Sequence, residues 1–269
     1  MKRVDLTAYT PEPITGHTSK GDQPKWQRGN VWYKGDHMGT EALSEILITM
    51  MLEHSNIEDF VAYEPVLIGY NEHELRGCVS ENFKGKDETL VPFEKLHRAY
   101  KGIGLAQKLA AFPDAAQRIQ YTVDFIEGVT GLTQMGAHLT TILELDAFTL
   151  NEDRHTNNLA VIRNEKTMSY RLCPIFDNGL ALLSDLNDYP LDADIYQCMD
   201  RVHAKPFAYT FDEQVEAAEM LYGSHLAFHF RKADVYAALK KLEELYSPEI
   251  LQRAERVVLE QMRRWSFYF

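Results

Sequence analysis

Apolar residues recur at helical spacing between residues 40 and 53, where Leu43, Ile46, Leu47, Met50 and Met51 share one side and Thr40 offers an N-cap oxygen. A helix is predicted there. The pattern then changes. Phe60-Val61-Ala62-Tyr63 and the run at 65–70 are short and apolar, and 75–80 returns after the polar turn Asn71-Glu72-His73, which predicts a β-hairpin. Beyond residue 83 the helical period dominates. Residues 115–127 carry Ile119, Val123 and Ile126 and stop at Gly128; residues 132–150 carry Leu139, Ile142, Leu143 and Leu145. Residues 234–246 carry Val235, Leu239, Leu242 and Leu245. Ser247-Pro248 then supplies an N-cap and a helix-compatible first residue for a last helix with Ile250, Ala254, Val257 and Val258. One interruption breaks this order: strand-like runs at 158–162 and 169–176 flank a polar turn, a second hairpin inside the helical region. The sequence thus predicts an α+β fold of two lobes, a small β-rich N-terminal lobe over 1–83 and a larger, mainly helical lobe over 84–269.

Composition narrows the partners. The chain has 269 residues, enough to bury a core without disulfide or metal staples. A net charge of -12 argues against broad binding to a nucleic-acid backbone. No apolar run approaches the roughly 18 residues of a membrane span, and the start of the chain lacks the apolar stretch of a secretion signal. Cys78, Cys173 and Cys198 show no paired spacing, so a reducing, cytoplasmic setting is expected.

Polar residues that folding does not require bracket the second hairpin. Before it stands Asn151-Glu152-Asp153-Arg154-His155-Thr156-Asn157-Asn158; after it stands Phe176-Asp177-Asn178-Gly179. An Asp, an Asn five residues later, a hairpin and then Asp-x-Gly match the catalytic loop and metal-binding turn of phosphoryl-transfer enzymes. One carboxylate there orients a hydroxyl and accepts its proton, while a carboxamide and a second carboxylate hold magnesium against the nucleotide phosphates. Alone, each piece is weak: Asp153 and Asn158 fit a solvated loop, and Asp177-Asn178-Gly179 fits a tight turn. Their joint order carries the reading.

The N-terminal lobe offers the remaining parts. Val31-Trp32-Tyr33-Lys34 is a short strand ending on a lysine, and Glu41 and Glu45 lie at i and i+4 on the helix that follows, so either can pair with Lys34. Upstream, His17-Thr18-Ser19-Lys20-Gly21-Asp22-Gln23-Pro24-Lys25 is polar and suited to covering phosphates, though it is neither a Walker loop nor G-x-G-x-x-G.

Taken together, Gly21-Asp22-Gln23-Pro24-Lys25, Val31-Trp32-Tyr33-Lys34, Glu41, Asn151-x-Asp153-x-His155-x-x-Asn158 and Phe176-Asp177 resemble the HipA-like serine/threonine kinases over about residues 15 to 185. Full-length HipA proteins carry a further N-terminal subdomain, whereas this chain resembles the kinase core alone, as in the short HipA-like and CtkA-like kinases. The resemblance implies a protein-kinase-like fold and use of ATP and Mg2+. It implies Asp153 as catalytic base, His155 as support of the catalytic loop, Asn158 and Asp177 as magnesium ligands, and Lys34 as the nucleotide-phosphate lysine. Gly21 and Lys25 would lie in the phosphate-covering loop, and Glu81 and Phe83 at the hinge that holds adenine. The family's position favours Glu41 over Glu45 as the partner of Lys34. Family members phosphorylate a residue of their own covering loop, where Thr18 and Ser19 are the hydroxyls here. The family includes toxins of toxin–antitoxin pairs; an antitoxin partner is implied only so far as its contacts do not need the missing subdomain.

Competing readings remain: a lipid or small-molecule kinase on the same fold, a nucleotide-binding pseudokinase serving as an interaction module, and a metal-dependent hydrolase built on Asp153, His155 and Asp177. The last lacks the His and carboxylate clustering of binuclear sites.

Overall fold

The computed structural model describes residues 2–12 and 23–269. Thr18, Ser19 and Gly21 of the expected phosphate-covering loop lie outside the described residues. In chain order the elements are β1 (Lys2–Asp5), β2 (Lys25–Arg28), β3 (Val31–Gly35), α1 (Glu41–Glu53), β4 (Glu64–Tyr70), β5 (His73–Glu81), β6 (Glu88–Pro92), α2 (Phe93–Lys101) and α3 (Leu105–Leu109). There follow α4 (Ala115–Thr130), α5 (Met135–Thr149), β7 (Ala160–Asn164), β8 (Tyr170–Leu172), α6 (Ile195–Arg201), α7 (Phe211–Tyr222), α8 (Lys232–Lys240) and α9 (Pro248–Arg264). The architecture is the mixed α+β one expected, with a small β-sheet part and a helical part.

Two compact units divide the chain. One comprises Met1–Asn82, Phe176–Val202 and Ala227–Phe269; the other comprises Phe83–Ile175 and His203–Leu226. The texture change at residue 83 falls on a unit boundary. Residues 176–202 and 227–269, however, belong to the first unit. Their backbone shows why: the Thr40 N–H donates to the Ser184 carbonyl at 3.0 Å, and the His229 N–H to the His54 carbonyl at 2.6 Å. A Cβ at Gly39 would run into that same Ser184 carbonyl oxygen, so the close approach needs glycine. Helical periodicity reports which face of a segment is buried, not which neighbour buries it.

In the first unit five strands form a sheet in the order β1-β4-β5-β3-β2, with β1 and β4 parallel and the other pairs antiparallel. Leu6, Trp26, Tyr33, Val66, Ile68 and Val79 make its core. The predicted β4–β5 hairpin closes through Asn71 and Glu72, both at positive φ (46° and 68°), the pair of conformations that a two-residue turn needs to match strand twist. Helix α1 is buried from Glu41 to Leu52, polar residues included. Thr40 does not cap it. The Ala42 N–H instead donates to Asp36 Oδ1 at 2.8 Å.

In the second unit β6, β7 and β8 form a sheet in that order. The sequence placed β6 in a helical stretch; Glu88-Thr89-Leu90-Val91-Pro92 shows no alternation of apolar and polar residues, and pairing with β7 makes it a strand. Helix α4 continues through Gly128 and ends where Gly131 takes a left-handed φ of 74°. The β7–β8 hairpin is present but shorter than predicted.

Candidate functional site

Lys34 ends the part of β3 that faces the helix, and its ammonium is almost completely buried. Nζ lies 2.5 Å from Glu45 Oε1 and 2.7 Å from Asp177 Oδ1. Burial opposes the charge, but the carboxylates of Asp177 and Glu45 outweigh it and hold Lys34 well above the ordinary lysine range. The other Glu45 oxygen accepts the Asn178 N–H at 3.0 Å, so Glu45 ties the lysine to the turn that carries Asp177. This corrects the choice of Glu41 as the lysine's partner. Glu41 turns back on its own helix start, where its carboxylate accepts the N–H groups of Met38 (2.6 Å) and Gly39 (3.1 Å). Met38 and Gly39 precede the helix, and the Glu41 carboxylate satisfies the backbone N–H groups of that lead-in segment. One turn later Glu45 has no such duty.

Lys25 stands opposite Lys34 across the β2–β3 pair, and both point to one carboxylate: Lys25 Nζ is 3.3 Å from Asp177 Oδ2. Burial would raise the pKa of Asp177, yet Lys25 and Lys34 hold it far below the usual carboxylate range. Asp177 is therefore an anion at neutral pH. Its φ of 59° lies in the left-handed region, which Asp tolerates better than most residues and which aims the side chain at the lysines.

The second unit holds Asp153, His155 and Asn158. Asn158 Nδ2 donates to the Asp153 backbone carbonyl at 2.8 Å and to Asp153 Oδ2 at 3.2 Å. His155 shapes the loop with its backbone: its N–H donates to the Asp153 carbonyl and its carbonyl accepts the Asn158 N–H, both at 2.8 Å. Its Nε2 is 3.9 Å from Asp153 Oδ1. The structure thus brings Asp153, His155 and Asn158 together.

Beneath this loop lies a buried ion pair that the sequence reading missed. Arg154 Nε is 2.9 Å from Asp146 Oδ2, both side chains are buried, and Asn151 Nδ2 donates to Asp146 Oδ1 at 2.9 Å. The signal was present: a carboxylate inside the apolar run of α5 is almost never buried unless it is paired. Thr156 adds a further anchor through Glu94, with Oγ1 donating to Oε2 at 2.9 Å. At the expected hinge, Glu81 closes β5 at the surface, and the Phe83 carbonyl accepts from Arg171 Nη2 at 3.0 Å. Arg171 is itself held by Glu88, at 2.8 Å.

The ligand chemistry fits magnesium in type. In the first unit Asp177 offers an anionic oxygen, and in the second Asn158 offers a carboxamide oxygen; each is a hard donor of the type magnesium takes. Among the described residues no group of three or more His, Cys, Asp or Glu is placed to hold a metal by itself.

No known family profile matches this sequence, and no curated protein matches it. Among solved structures the chain is similar to the crystal structure of the Helicobacter pylori proinflammatory kinase CtkA. The likeness covers 97% of this chain and 94% of that one, with a TM-score of 0.64 at 14% identity. The fold is therefore kinase-like. Among the described residues no helix is long and apolar enough to cross a membrane.

Proposed function

We propose that this protein is a serine/threonine protein kinase that uses ATP and Mg2+. The observation that carries the reading is the Lys34–Glu45–Asp177 cluster, a buried lysine tied at 2.5 Å to the helix and at 2.7 Å to an aspartate that follows a β-hairpin, on a kinase-like fold. Lys34 binds nucleotide phosphate, and Glu45 fixes it. Asp177 and Asn158 are the residues that would hold magnesium, which would neutralise charge on the phosphates. Lys25, bound more loosely to Asp177 than Lys34 is, supplies a second positive charge for the phosphates. Asp153 accepts the proton of the attacking hydroxyl, kept in place by the Asn158 carboxamide and the Asp146–Arg154 pair below.

The test is incubation with labelled ATP and magnesium, alone, with protein extract and with lipid vesicles, followed by mapping of the labelled residues. Label on Ser or Thr of proteins supports the reading. Label on lipid alone replaces it with a lipid kinase, and binding without turnover with a pseudokinase. In the sample without extract, phosphate on Thr18 or Ser19 is the expected self-modification.

A further inference from the structure

Resting on the kinase reading above, we propose that Tyr246 is a positioning residue for Lys34: through Asp36 it holds the start of α1, and with it Glu45, against the lysine. Asp36 follows β3 directly, and its carboxylate is where three parts of the first unit meet. Oδ1 accepts the Ala42 N–H in the first turn of α1, at 2.8 Å. Oδ2 accepts the hydroxyl of Tyr246, 210 residues further along the chain, also at 2.8 Å. Arg76 of β5 approaches the same oxygen at 3.5 Å and lays its guanidinium 5.0 Å over the Tyr246 ring, while its carbonyl accepts the Asp36 N–H at 2.7 Å. Tyr246 is buried, so its hydroxyl does not trade this bond for water.

The consequence for the site is mechanical. Ala42 and Glu45 lie on successive positions of one helical face, and a helix moves as a rigid rod over so short a span. A shift of about 1 Å in the helix would stretch this 2.5 Å ion pair to the outer limit of a hydrogen bond and weaken it. With Thr40 making no side-chain cap bond to this helix, Asp36 is the side chain that caps the start of α1 through Ala42. Tyr246 in turn donates to that carboxylate. The bland alternative is a tyrosine that merely fills space between helix and sheet. It predicts effects that do not depend on Glu45.

Tyr246→Phe removes the hydroxyl and keeps the ring. Hydrogen exchange of the α1 amides at residues 42–45, and the kinetics of ATP turnover, are measured in this variant, in Glu45→Gln and in the double variant. The expected result is melting close to wild type, α1 exchange faster by about tenfold and kcat lower by about tenfold, the loss of one hydrogen bond, with the phosphoacceptor KM unchanged. In the Glu45→Gln background Tyr246→Phe adds no further loss of turnover. Wild-type exchange rates in α1, or losses that multiply in the double variant, overturn the proposal. If the wild-type protein turns over no ATP, the kinase reading fails by itself; α1 exchange then still decides whether Tyr246 holds the helix.

Discussion

Replacing Glu45 by Gln tests the assignment on which the proposed nucleotide site rests. The change is isosteric, so the Asn178 N–H keeps an oxygen to donate to, but an amide N–H now faces the Lys34 ammonium, donor against donor. Lys34 stays buried with Asp177 as its remaining anionic contact within the cluster. Removing one partner of a buried ion pair costs about 3–5 kcal/mol, and the surviving Asp177 contact places this case near the lower end, at about 3 kcal/mol. Where that loss falls on the transition state it lowers kcat/KM for ATP by about two orders of magnitude, at ~1.4 kcal/mol per factor of ten. The comparison is Glu41→Gln, which retains an oxygen for the Met38 N–H and should cost about 1 kcal/mol of stability or less and change turnover less than about threefold. Urea unfolding and steady-state kinetics at varied ATP read both quantities. A Glu45→Gln protein with near-normal turnover, or a Glu41→Gln protein that is the more damaged of the two, refutes the assignment.

Asp153→Asn should keep the fold and the MgATP affinity measured by calorimetry but lower turnover by about three orders of magnitude, since the hydroxyl loses its proton acceptor. Arg154→Met leaves Asp146 as an unpaired buried carboxylate and should destabilise the protein by about 3–5 kcal/mol, and adding Asp146→Leu should restore most of the loss; no restoration in the double variant would show that the pair is not the cause. The buried Asp36 carboxyl is pushed up to about 7, first by desolvation and then by Glu41, against the bonds from Ala42 and Tyr246 and the charge of Arg76, with Cys78 also nearby. Because its pKa is higher folded than unfolded, the folded protein keeps this proton while the unfolded chain releases it, so stability from this group falls as pH rises from about 4 to about 7, by roughly 4 kcal/mol in all. Asp36→Asn removes that slope, and thermal unfolding curves of equal pH dependence in both proteins would contradict it.

Local pattern alone was enough for much of the fold. The spacing of Leu43, Ile46, Leu47, Met50 and Met51 marked α1 to within a residue, because a buried helix must repeat its apolar contacts every turn. Asn71 and Glu72 marked the hairpin, and the spacing of Asp153 and Asn158 marked two polar residues that the fold joins by a hydrogen bond at 3.2 Å. What the sequence left open was pairing between distant segments. Glu41 and Glu45 are chemically identical one helical turn apart; only the packing of the Asp177 turn against α1 decides that Glu45 takes the lysine, while Glu41 is spent on its own helix start. Strand β6 shows no alternation of apolar and polar residues and exists by virtue of its partner β7. Arg154 reads as a surface charge until Asp146 is found beneath it, and Tyr246 reads as one more apolar position until its hydroxyl meets Asp36. Periodicity records which side of a segment avoids water, a property of single residues. The identity of a buried polar group's partner is a property of two segments brought together, and that information exists only once the chain has folded.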